Sequence, residues 1–153
     1  MNLQKHTTKE KLEEYSFLWS EIRLVIAAIA LFIGGVPPLF FLLGSSYGLM
    51  SSLLGLSWII SGVASVYLLY IWSKTRTLFG ANEKRDLYAF LVMIVSGINL
   101  GLAGFIRTNI GMSISSNKFL FWIVGIIYLA SAYYLHKRWK ANGKKLFSGS
   151  NEK

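Results

Sequence analysis

From Leu24 to Ser73 the chain runs for 50 residues without one Asp, Glu, Lys or Arg. A helix of about 20 residues rises about 30 Å, the thickness of a bilayer's hydrocarbon core. Fifty uncharged residues exceed one crossing and suit two, joined by a turn. Gly44–Ser52, GSSYGLMSS, supplies that turn, because glycines take up positive φ and serines satisfy freed backbone groups. Two shorter uncharged runs follow, Leu87–Ile106 and Phe119–Leu135. Composition agrees: 54% of the 153 residues are hydrophobic and 15% charged, against about 45–50% and 25% in a soluble domain. Lipid offers the backbone no hydrogen-bond partner, so such segments cross as helices. The expected fold is all-α. It is a polytopic membrane protein with four transmembrane helices in an antiparallel bundle, at about 24–43, 53–72, 87–106 and 119–135.

These spans divide the chain into a cytoplasmic segment 1–23, a single transmembrane domain 24–135 and a basic tail 136–153. In the first segment Thr7 and Glu10 fit a capping box, and Leu12, Tyr15, Trp19 and Ile22 recur at helical spacing opposite Lys9, Glu13 and Ser20. An N-terminal amphipathic helix lying in the membrane interface is expected there. Four glutamates precede the first apolar run, so span 1 reads as an uncleaved signal-anchor. Between spans 2 and 3, Leu78 and Phe79 are expected to dip into the interface. The tail is hydrophilic, and its ending from Gly143 is expected to be disordered.

Charge sets the orientation. Fourteen basic residues fall on the side that holds both ends and the 73–86 connection, and two, Arg107 and Lys118, on the other. The positive-inside bias then puts both termini in the cytoplasm of a multi-pass protein of the cell membrane. Tyr and Trp gather near the ends of the spans as two belts, most of them at the basic side. The net charge of +9 therefore meets anionic lipid headgroups rather than nucleic acid.

Three patterns inside the spans carry local chemistry. GGVPP in span 1 places Gly34, Gly35, Pro37 and Pro38 where two backbone donors are missing, so a kink or local unwinding is expected. Its functional form would be a hinge, or a broken helix whose freed carbonyls hold an ion. SGINLGLAG in span 3 sets Gly97, Gly101 and Gly104 near one face, a pattern that lets backbones approach closely. Asn99, the one amide inside the spans, should find a hydrogen-bond partner on another helix or subunit. In span 2, Ser57, Ser61 and Ser65 form a stripe with Ala64. Both small-residue faces suit helix packing, and either one could line a pore.

The absences narrow function further. The chain has no cysteine, and its two histidines, His6 and His136, lie near its ends. No Asp, Glu, Lys, Arg or His falls within the spans as drawn, which leaves no intramembrane proton relay, metal ligand, haem ligand or catalytic group. The expectation is a non-enzymatic protein with no cofactor and no metal. It would act as a homo-oligomer, or as an assembly or membrane subunit of a complex with another membrane protein. The alternatives are a pore, channel or membrane-perturbing effector formed by self-association, and an uncoupled small-solute carrier.

Overall fold

The computed structural model describes residues 8–37, 47–106, 109, 110, 113 and 117–147. Among them are four helices, α1 Lys9–Phe32, α2 Tyr47–Thr75, α3 Lys84–Ile106 and α4 Lys118–Ala141, and no strand. All four are long and apolar enough to cross a membrane. Helix α2 contains the expected span 53–72 and extends it to Tyr47 and Thr75, so the turn expected over Gly44–Ser52 is helical from Tyr47 on; α3 contains 87–106 and starts earlier, at Lys84; α4 contains 119–135 and runs from Lys118 to Ala141.

Helix α1 differs from the expectation. It passes through Arg23 and Leu24 without a break and stops at Phe32. The expected interfacial helix and the first part of span 1 are thus one element; residues 33–37 follow its end, and 38–43, expected to finish span 1, lie outside the described residues. The cause of the stop is local. Gly34 and Gly35 adopt φ of 88° and 85°, a region closed to most L-residues. The Gly34 N–H donates to the Leu31 carbonyl at 3.2 Å and the Gly35 N–H to the Ala30 carbonyl at 2.7 Å. This pair of bonds is the Schellman arrangement that closes a helix C-terminus. The glycines therefore end α1, an unwinding within the stretch where a kink or local unwinding was expected, and the Ala30 and Leu31 carbonyls are already satisfied. Pro37 follows the stop, and Pro38 lies outside the described residues.

Helices α2 and α3 meet through glycine. A Cβ on Gly62 would lie 2.7 Å from the Gly101 Cα, and one on Gly101 would lie 2.6 Å from the Gly62 Cα. Gly104 faces the Gly55 carbonyl and Ile59, and Gly97 faces Ser65. Gly55, Gly62 and Ser65 thus meet Gly104, Gly101 and Gly97, in reverse order along the two helices. Helix α4 brings Gly125 against the Phe32 ring and the Ala28 carbonyl of α1.

One end of the bundle holds the apolar core. Phe17, Leu24, Leu68, Phe90, Met93 and Leu135 are fully buried there. The α2–α3 connection and the chain after α4 fold over this end together. The Phe79 N–H donates to the Leu146 carbonyl at 2.8 Å, and the Phe147 ring stands edge-on to Phe90, centroids 6.2 Å apart. Leu78, Phe79, Leu146 and Phe147 are all buried. This corrects two expectations: Leu78 and Phe79 pack into protein rather than lipid headgroups, and order persists past Gly143. The glycine at 143 and Lys144, at φ 61° and 64°, reverse the chain, so that the two apolar residues behind them return to the core. Residues 148–153 lie outside the described residues.

Candidate polar site inside the bundle

Helix α1 is amphipathic with its apolar side outward. Leu12, Tyr15, Trp19, Ile22, Ile26, Ile29 and Ile33 recur every three or four residues and are all exposed, as one face of a 3.6-residue helix requires. The opposite face is buried and carries Glu13, Ser16, Ser20, Glu21 and Arg23 beside Phe17, Leu24 and Ala28. Water-soluble helices do the reverse. A helix surrounded by lipid can place apolar residues outside at no cost and keep its polar residues for the interior.

Arg23 is the centre of that interior face, with 7% of its surface exposed. Its Nη1 donates to the Ser96 Oγ at 2.7 Å and its Nη2 to the Met93 carbonyl at 2.8 Å, both on α3. Gly97 makes this approach possible, since a Cβ there would lie 2.9 Å from Nη2 and collide with the Ser65 Oγ. Arg23 Nε, Ser20 Oγ and Ser65 Oγ are buried without a hydrogen-bond partner among the described residues. Arg23 forms no ion pair among them either; the pairs are His136–Glu21, Arg138–Glu83 and Arg138–Asp86.

Other polar groups flank this centre. Trp19 Nε1 donates to the Ser61 Oγ at 3.0 Å, and that hydroxyl donates to the Ser57 carbonyl at 2.7 Å. Glu21 Oε1 lies 2.8 Å from His136 Nδ1. Asp86, wholly buried, accepts from Arg138 through both carboxylate oxygens at 2.9 and 2.7 Å and from the Tyr134 hydroxyl at 2.8 Å. The Glu13 Oε1 is buried without a partner among the described residues. A groove of about 410 Å³ opens between α1 and α2, lined by Tyr15, Ser16, Leu18, Trp19, Ile22, Ile60 and Ala64.

Of the residues singled out from the sequence, the structure brings Ser61, Ser65 and Gly97 to this region. Ser57 sits half-buried, its hydroxyl returned to the Leu54 carbonyl of its own helix at 2.8 Å. Gly101 and Gly104 serve the α2–α3 contact. Asn99 donates to Asn109 Oδ1 at 2.9 Å, in the connection after α3. Gly34, Gly35 and Pro37 lie at the far end of α1. Glu13, Glu21, Arg23, Asp86, His136 and Arg138 were missed: the expected span 1 was drawn from Leu24, whereas the helix long and apolar enough to cross a membrane begins at Lys9 and carries Glu13, Glu21 and Arg23 on its buried face. One signal pointed to them. The stripe Leu12–Tyr15–Trp19–Ile22 continues in phase through Ile26 and Ile29, so the apolar face does not change at Arg23.

The centre thus holds one cation, and with it one N–H and two hydroxyls that have no partner among the described residues. Comparison with known proteins adds no name to it, since no family model, curated protein or solved structure matches the chain.

Proposed function

We propose that the chain is a four-span protein of the cell membrane, an antiparallel bundle with both termini in the cytoplasm. In this reading it acts without covalent chemistry as a carrier for a small polar solute. The observation that carries the proposal is the inverted face of α1: Ser16, Ser20 and Arg23 buried while an apolar stripe from Leu12 to Ile33 faces outward. At 1.5 Å per residue that stripe covers about 31 Å, one bilayer core. On the same scale Arg23 stands about 21 Å along α1 from Lys9, and Ser96 about 18 Å along α3 from Lys84. Both measures support a guanidinium deep in the membrane in this reading. Packing alone does not call for a cation at that depth, and ionisable groups there mark solute or ion pathways in membrane proteins.

The assembly reading, a homo-oligomer or the membrane subunit of a complex, drew on two small-residue faces. The span 3 face is occupied by α2, which meets it at Gly55, Gly62 and Ser65, the last a member of the span 2 stripe, and this favours closure of one chain over contact between copies. The same holds for a pore built by self-association.

Osmotic re-swelling of liposomes carrying the purified protein tests the carrier reading. Vesicles shrunk in glycerol, urea, potassium acetate with valinomycin, or potassium phosphate with valinomycin re-swell only as fast as the solute enters. At least one of these should enter faster than into protein-free vesicles, in proportion to folded protein. Rates equal to protein-free vesicles for all four would overturn the reading.

A further inference from the structure

We infer that Arg23 is the anchor of a binding site for an anion of the carboxylate or phosphate class inside the bundle. This rests on the carrier reading and names its substrate class. The first argument is charge. A guanidinium keeps its proton in any protein environment, and a buried cation without a counter-charge is expensive. The nearest acid along α1, Glu21, is engaged by His136, and Asp86 is held by Arg138 and Tyr134. Nothing among the described residues neutralises Arg23, whose present partners are a hydroxyl and a carbonyl.

The second argument is the set of idle donors. Arg23 Nε and the hydroxyls of Ser20 and Ser65 are buried without partners among the described residues. Ser20 is one helical turn from Arg23, and the Ser65 Oγ and Arg23 Nη2 both press on the same point of Gly97. An oxyanion brings several lone pairs and matches the planar fork of a guanidinium, which is why arginine is the residue of choice for carboxylate and phosphate. A neutral solute would satisfy the hydroxyls and leave the charge unanswered.

The entrance assigned here is the groove between α1 and α2, whose lining includes Ser16 and stops short of Arg23, Ser20 and Ser65. Ser16 on its wall is one turn from Ser20, so hydroxyls continue from the groove toward the guanidinium. The rest of the wall is largely apolar, with Trp19 and Tyr15 at its rim. The same oxyanion chemistry can arrive as a free anion or as the headgroup of an amphiphile whose chain lies in the groove.

Thermal unfolding of the full chain in a non-ionic detergent, followed by tryptophan fluorescence at low salt, separates these cases. The probes are sodium acetate, sodium phosphate and sodium decanoate, with decanol as the uncharged match to decanoate. Wild type should show a saturable rise of about 3–5 °C at ten times the dissociation constant of the bound probe. Saturation by acetate or phosphate assigns a free anion; saturation by decanoate alone, without decanol, assigns an amphiphile. Ser65→Ala leaves both present bonds of Arg23 in place and should weaken binding about three- to tenfold. Arg23→Gln should abolish it, while Arg23→Lys keeps the charge, loses the fork and should bind weakly. No saturable shift with any anion overturns the inference. So does wild-type affinity in both Ser65→Ala and Arg23→Lys, a comparison that holds even where Arg23→Gln fails to fold. Anion-independent re-swelling with neutral solutes would leave the carrier reading standing while this inference fell. Anion binding without any re-swelling would do the opposite.

Discussion

Two arginines in this chain solve opposite problems. Arg138 stands at the end of α4, its side chain about a quarter exposed, and neutralises a carboxylate that is wholly buried. Asp86 would otherwise be an uncompensated anion in a low-dielectric interior, and removing one partner of such a pair costs about 3–5 kcal/mol. Arg138→Gln should therefore destabilise the bundle by about 3 kcal/mol, the low end of that range because its head is partly hydrated. Adding Asp86→Asn should restore much of the loss. Denaturant unfolding of the single and double variants in detergent micelles measures both. Arg23 is the converse case, a cation taken inside with hydroxyl and carbonyl partners only, and its sequence context concealed it. Measured by charge alone, Arg23 marks the edge of an uncharged run. Measured by helical phase, it is one position on the buried face of an element that began at Lys9.

At the scale of the helices, uncharged length was enough to locate α2, α3 and α4, because lipid excludes charge from surfaces that face it. It failed for α1, where Glu13, Glu21 and Arg23 are buried against protein. The glycine pattern was legible as well. Gly97, Gly101 and Gly104 were placed on one packing face from spacing alone, and the structure supplies what spacing could not, the identity of the facing residues Gly55, Gly62 and Ser65. GGVPP was legible as a kink or a local unwinding, and the choice between them depends on where the two glycine N–H groups find carbonyls. The closest contact gives the sharpest expectation. Gly101→Leu would drive a side chain into the backbone of α2 at Gly62, so the two helices must separate. A loss of about 3 kcal/mol or more, or failure to fold, is expected from overpacking of this kind. Gly48→Ala, where a Cβ meets nothing within 4 Å, should stay within about 0.5 kcal/mol. The same unfolding assay compares them.

For the molecule as a whole, the described closure lies at the end that holds the α2–α3 connection. That end is sealed by protein: the α2–α3 connection and the segment after α4 bond to each other and bury Phe79, Leu146 and Phe147. Phe147→Ala should remove about 3–4 kcal/mol, the ordinary cost of deleting a buried aromatic ring, and expose the Trp139 region to aqueous quenchers of tryptophan fluorescence. At the other end of α1 the chain leaves the helix at Gly34–Gly35 and continues to an exposed Val36. The central claim is that α1 itself crosses the membrane, with Arg23 deep inside and Val36 beyond the far surface. Because the chain has no cysteine, Val36→Cys gives a single reporter for a membrane-impermeant maleimide added outside intact cells. The account predicts rapid labelling at position 36 without permeabilisation, and none at Lys9→Cys until the membrane is opened. If position 36 instead stays unlabelled until detergent is added, it lies within the bilayer, and the crossing runs through Leu24–Leu43 with Arg23 at the inner surface.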